Sequence, residues 1–295
     1  MRIAFWSNIR EGCCVTTNMA CIAAVTSIMW TEKVAMLANH YKRSGGLGDI
    51  IMNEHEYIRK SEPGGLYPDN GLDYILKGLY AGADGAELIK NVAVPIFYSN
   101  MYYLPHGTIF NKEVFNYDFS LVYSKLFKSL DDFAEFVFVD TETNQNLSSK
   151  LILHSSDLIV VNISQNPFLI RDFFDNYSSL KDKVVFLIGS YQPDLAWSYS
   201  RICYEYNIPR NRIGVIPYNM ELKDAMQSGK ILQFINRNFY KPSGRENSYF
   251  MRKCREDASM IRKFIIKIRK QSIDVCNREF IDRVCQTASY MENMQ

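Results

Sequence analysis

Short, β-rich apolar runs alternate along the chain with longer segments of helical spacing, and no other feature limits the possible folds as tightly. The apolar runs are Arg2–Trp6, Lys33–Ala38, Met101–Leu104, Glu135–Val139, Leu158–Val161, Val184–Ile188 and Arg212–Ile216. Between them, Thr16–Thr31, Phe119–Phe133, Asn166–Leu180 and Leu195–Tyr206 have helical spacing. Asn166-Pro167 and Gln192-Pro193 supply turn chemistry ahead of two of these segments. This alternation gives a parallel sheet covered on both faces. The expected fold class is therefore α/β: a mostly parallel central sheet with helices on both faces, in a single domain over residues 1–240. A helical extension over 241–295 packs on that domain or on a partner. The stretch from Ser44 to Asn100 is the least regular, with Glu62-Pro63-Gly64-Gly65 and Pro68-Asp69-Asn70-Gly71, and reads as loops and short helices.

Composition narrows the function classes. With 295 residues, 47% hydrophobic and 22% charged, the chain can bury a substantial core. A formal net charge of +2 points to neither a nucleic-acid coat nor an acidic partner, so electrostatic binding would need a local patch. The longest apolar stretch, Ala20 to Trp30, is too short to span a bilayer. The charged start runs directly into the first strand-like segment, so no signal sequence is expected. The seven cysteines include no Cys-x-x-Cys pair, and free thiols in apolar segments fit a reducing compartment. The expectation is a cytoplasmic protein.

In an open parallel sheet, ligand sites form at the carboxyl ends of the strands. After the first strand come Arg10-Glu11-Gly12-Cys13-Cys14-Val15-Thr16-Thr17, then a helix. After the fourth comes Asp140, after the sixth Ser190, and after the last Pro217-Tyr218. A strand, a loop and a Thr-Thr pair opening a helix make a phosphate site, because the helix N-terminus carries free N–H groups and positive potential. An apolar run ending in aspartate often just caps a turn, yet beside such a loop Asp140 becomes a candidate Mg2+ residue together with Thr16. Adjacent Cys13 and Cys14 could be activated thiolates at a helix start, or small residues filling a tight loop. The spacing of a Cys-x5-Arg phosphatase loop fails, since neither Met19 nor Ala20 is arginine.

In their order and spacing these pieces resemble the ParA/MinD family of P-loop ATPases with a deviant Walker A, and within it the TadZ-type pilus-assembly proteins with an atypical Walker A. The resemblance runs to about Phe239. It is carried by the first loop and helix, by VAMLANHY, MYYLPHG, FAEFVFVDTET and SSDLIVVNISQNPFLI, and most specifically by GVIPYNMELKDAMQSGKILQFI. It implies a P-loop NTPase-type domain that binds ATP and Mg2+. Arg10, Glu11, Gly12, Cys13, Cys14, Val15, Thr16, Thr17, Ser190, Pro217 and Tyr218 would surround the nucleotide, with Thr16 and Asp140 on the metal. Asn39, His40 and Tyr41 would form the switch region.

Departures from the family pattern are large. Val15 stands where the phosphate-gripping lysine belongs, and Arg10 where the second signature lysine belongs. Cys14 replaces a glycine, while Gly12 keeps one. Around Asn39, His40 and Tyr41 no carboxylate replaces the family's water-positioning aspartate. A lost charge-assisted hydrogen bond weakens phosphate binding by about 1.5–3 kcal/mol, whereas hydrolysis depends on the missing charges far more. The resemblance thus implies an ATP-binding homodimer with weak or absent hydrolysis that positions partners of a pilus or secretion apparatus. A nucleotide-independent scaffold on the same fold and a genuine partitioning ATPase are the alternatives; the near-zero charge and the loop count against nucleic acid. In the tail, Ile261, Phe264, Ile265 and Ile268 share one helical face with Arg262, Lys263, Arg269 and Lys270 largely off it. Residues 260–270 could contact an anionic membrane surface or pack on the domain.

Overall fold

The computed structural model describes residues 1–10, 12–39, 46–52, 71–96, 100–106, 111–143 and 146–292, with backbone alone beyond residue 270. The strands are β1 Arg2–Trp6, β2 Val34–Ala38, β3 Val94–Pro95, β4 Met101–Tyr103, β5 Phe136–Asp140, β6 Leu158–Ile163, β7 Val184–Tyr191 and β8 Ile213–Pro217. They form one eight-stranded sheet in the order β3-β4-β2-β5-β1-β6-β7-β8. Among the described residues only the β3–β4 pair is antiparallel. The helices are α1 Val15–Met29, α2 Leu47–Ile51, α3 Leu72–Tyr80, α4 Gly85–Val92, α5 Lys112–Phe133, α6 Leu147–Ser155, α7 Pro167–Asn176, α8 Tyr199–Glu205, α9 Met220–Gln227, α10 Ile231–Tyr240 and α11 Gly244–Glu292.

The strand pleat divides the interior into two cores. Ile3, Phe5, Met36, Phe138, Val160 and Leu187 point to one face, where α1, α2, α9, α10 and the first part of α11 pack. Ala4, Trp6, Leu37, Val139, Val161 and Ile188 point to the other, against α3 to α8. Burial on both faces explains why the strands are apolar at successive positions. The α/β expectation holds, with helices on both faces of a mostly parallel sheet.

Several boundaries differ from the sequence pattern for local reasons. Helix α5 starts seven residues before Phe119 because the Asn111 carbonyl oxygen accepts from the N–H groups of Glu113 and Val114, at 2.9 and 3.2 Å. Helix α6 was not apparent in the apolar spacing; the Asn146 side chain caps it by accepting from Ser149 N–H at 2.8 Å. Helix α8 is limited to Tyr199–Glu205, where the pattern suggested Leu195–Tyr206, since residues 193–197 form turns and Ser198 supplies the cap. The tail is one continuous helix, where the sequence suggested one or two. In it Ile261 and Ile265 are buried, and Phe264 and Ile268 pack partly buried against the α1-side core. The domain itself therefore occupies that apolar face.

Candidate functional site

The site is assembled at the carboxyl ends of β1, β5, β7 and β8. Between β1 and α1 the backbone turns through two left-handed residues, Gly12 at φ 87° and Cys14 at φ 55°. A left-handed conformation costs an L-residue about 1–2 kcal/mol, and Cys14 holds it as the residue that opens α1. Among the described residues no side chain caps this helix, and its first turn holds no acidic residue. The first helical hydrogen bond runs from Asn18 N–H to Cys14 C=O, at 2.8 Å. The N–H groups of Val15, Thr16 and Thr17 therefore have no partner within the helix and face an anion-attracting end of the macrodipole. Arg10 is exposed and makes no ion pair among the described residues. Glu11 lies outside the described residues.

The loop is seated on buried amides. Asn18 donates to Cys13 C=O at 3.1 Å and to Asn162 Oδ1 at 2.8 Å. Asn162, on β6, donates in turn to the carbonyls of Trp6 and Val160, at 3.3 and 3.1 Å. Across from it, Gly189 lies so close that an added Cβ would sit 2.6 Å from Cys13 C=O and 2.8 Å from Asn18 Nδ2. The next residue, Ser190, has φ 47°, and its hydroxyl lies 3.3 Å from Cys14 Sγ. Strand β7 thus supports the loop at backbone distance and turns Ser190 toward it.

Thr16 and Asp140 meet. The buried Thr16 hydroxyl donates to Asp140 Oδ2 at 2.7 Å, joining the start of α1 to the end of β5. A hydroxyl beside a carboxylate is a hard-oxygen donor set of the kind Mg2+ takes. Asn39, at the end of β2, is used structurally. Its amide donates to Ser148 and Ser149 hydroxyls at 3.0 and 3.1 Å, and its Oδ1 accepts from Glu142 N–H at 2.7 Å. Glu142 is itself engaged by Lys112 and Asn146, each at 2.7 Å. His40 and Tyr41 lie outside the described residues.

Beside the loop is a pocket of about 190 Å3, lined by Cys14, Thr17, Ser190, Pro217, Tyr218 and Met226 among others. Pro217 is buried, whereas Tyr218 is exposed and its N–H donates to Tyr191 C=O at 2.9 Å. Asn219 caps α9 and donates to Asn247 Oδ1 of α11 at 2.7 Å. Asn247 continues to Ser243 at 2.9 Å, and Asn238 accepts from Ser243 N–H at 3.0 Å. This polar chain fixes the Pro217–Tyr218 turn to the helical tail.

The two cysteines have different environments. Cys13 is buried beneath the loop, and desolvation raises its thiol above the ordinary value despite hydrogen bonding with Ser7. Cys14 is half-buried and lines the pocket. Among the described residues no cluster of three His, Cys, Asp or Glu side chains could hold a metal by itself.

Sequence reasoning missed Asn18 and Asn162, and it placed Gly189 after the sixth strand without giving it a role. Asn162 left a signal, being an amide inside the otherwise apolar run LIVVNI, where an unpaired polar group would be costly. Gly189 left only its position at a strand end.

No protein-family model and no curated protein sequence matches the chain. Solved structures do match. The fold is similar to a cell division ATPase MinD from Pyrococcus furiosus, at 15% identity over 89% of this chain and 98% of that one, with a TM-score of 0.64. It is similar to a ParA family ATPase from Chlorobium tepidum, at 14% identity over 87% and 98%, with a TM-score of 0.65. A third is the septum site-determining protein MinD of Pyrococcus horikoshii complexed with Mg-ADP, at 15% identity over 88% and 96%, with a TM-score of 0.60. The chain therefore has the fold of the MinD and ParA ATPases. No helix among the described residues is long and apolar enough to cross a membrane.

Proposed function

We propose that this chain binds ATP with Mg2+ at the loop between β1 and α1, and that occupancy rather than turnover drives a dimeric positioning role. The observation that carries this reading is the Thr16–Asp140 pair at 2.7 Å, set at the mouth of a helix that no described side chain caps. The amides at the start of α1 would take the phosphates, Thr16 and Asp140 the cation, and the pocket beside Pro217 and Tyr218 the base. A structural neighbour of the same fold is complexed with Mg-ADP, which supports nucleotide binding as the reading. When bound, Mg2+ would neutralise phosphate charge.

Weak hydrolysis is part of the proposal. Val15 supplies no cation to the transferred phosphoryl group. Asn39 has no basicity, and its amide already holds Ser148, Ser149 and Glu142. On the departures at Val15 and Asn39 we read the chain as TadZ-like, with an atypical Walker A, and its partners as those of a pilus or secretion apparatus. A homodimer closed over nucleotide fits this role, with Arg10 exposed at the loop as the residue available to bridge.

Equilibrium titration with a fluorescent ATP analogue and Mg2+ tests the reading. Saturable binding is expected in the parent chain, lost in Thr16→Ala/Asp140→Ala. Val15→Lys should tighten it about tenfold to a hundredfold, the equivalent of about 1.5–3 kcal/mol for one charge-assisted hydrogen bond. An absence of binding in the parent chain would sink the proposal and favour a nucleotide-independent scaffold. Phosphate release far above background, abolished in the same double variant, would refute weak turnover. Light scattering with and without nucleotide checks the dimer.

A further inference from the structure

A second, larger cavity lies away from the loop, at the amino-terminal half of β8, where α8 and α11 flank the free edge of the sheet. Its volume is about 610 Å3, within the size range of small-molecule sites. Three features of its lining are unusual together.

The first is a buried carboxyl on the floor. Asp257 is 4% exposed and fills the space a side chain at position 214 would occupy; a Cβ on Gly214 would lie 2.0 Å from its Oδ1. One side accepts from the Val215 backbone N–H, while Oδ2 has no hydrogen-bond partner. Burial raises this carboxyl well above its ordinary value, against the attraction of Lys253. The second is an aromatic and thioether wall: Tyr199, Tyr249, Phe264 and Met260. The third is charge. Arg210, Lys253, Lys263 and Lys267 line the cavity against one further acid, Glu256, whose carboxylate is bonded to Arg252 and Lys253 at 3.0 and 2.7 Å. Lys263, Lys267 and Arg210 have no salt-bridge partner among the described residues.

We propose that this cavity binds a small molecule that joins an aromatic ring to an anionic group such as a phosphate or carboxylate. Ring faces and the Met260 sulfur favour a flat apolar body. The unpaired lysines and arginine favour an anion at its end. The ring would lie over the cavity floor, where the buried Asp257 carboxyl sits beneath the edge strand. The Pro217–Tyr218 turn of the nucleotide pocket belongs to the opposite end of β8, so the two sites are separate.

NMR of methyl-labelled methionine provides a local reporter, with the Met260 signal assigned through Met260→Leu. The full chain is titrated with phenyl phosphate, phenol and inorganic phosphate, which separate ring from anion. Phenyl phosphate is expected to shift the Met260 signal saturably, with an affinity at least about tenfold above either fragment. Lys263→Gln/Lys267→Gln, at exposed positions, should weaken it about tenfold, and Thr16→Ala should leave it unchanged. The proposal is overturned by an unmoved Met260 signal, by phenol binding as tightly as phenyl phosphate, or by binding that survives removal of both lysines. Because the signal is read without nucleotide and in Thr16→Ala, failure of the loop to bind ATP does not alter these outcomes.

Discussion

Replacing Gly189 by alanine tests whether the sheet positions the loop. A Cβ there would stand 2.6 Å from the Cys13 carbonyl oxygen and 2.8 Å from Asn18 Nδ2. Neither atom can swing away cheaply. The first is backbone, and the second is held at 2.8 Å by Asn162 Oδ1 within a buried network. Overpacking of this kind costs about 1–3 kcal/mol. Loss of the Asn18–Cys13 hydrogen bond, 3.1 Å in the parent chain, adds about 0.5–1.5 kcal/mol. We expect Gly189→Ala to lose about 2–4 kcal/mol in urea unfolding, with an unchanged slope, and to bind the fluorescent ATP analogue at least about tenfold more weakly at temperatures where it stays folded. A variant with parental stability and parental affinity would refute the close seating of the loop on β7, and with it the account of how the site is held.

Two further outcomes follow from the cysteines and from Asp257. Desolvation pushes the Cys21 thiol up to about 12 and the Cys254 thiol well above its ordinary value, so native-state alkylation followed by mass spectrometry should find both inert while half-buried Cys14 reacts. MgATP should slow the Cys14 reaction; equal rates with and without it would count against a nucleotide beside that thiol. The Asp257 carboxyl has a raised folded-state value, so the folded chain binds the extra proton and its contribution to stability is complete only below the ordinary carboxylate range. Stability should fall by about 1.4 kcal/mol per pH unit as pH rises through the window between the unfolded and folded values. Asp257→Asn should flatten that slope and gain on the parent chain as pH rises, measured by urea unfolding at several pH values; parallel slopes would mean that Asp257 is ionised in the fold.

Much of the architecture was legible in the sequence because it depends on short-range pattern. Strands buried on both faces need apolar residues at successive positions, so LIVVNI and FVFVD announced themselves. Caps were harder to read. Asn111 and Asn146 start helices through single side-chain hydrogen bonds that leave no periodic trace. The sequence by itself determined the α/β class, the loop ahead of Thr16 and Thr17, and the placement of Asp140 at a strand end, since each rests on neighbours in the chain. Tertiary structure alone decided that Thr16 and Asp140 touch across 124 positions, that Asn39 is spent on Ser148 and Ser149, and that Gly189 carries the loop. It alone also buried Asp257 beneath the edge of β8. The physical reason is that these contacts depend on strand order, which places β5, β1, β6 and β7 side by side, and local propensity carries no information about that order.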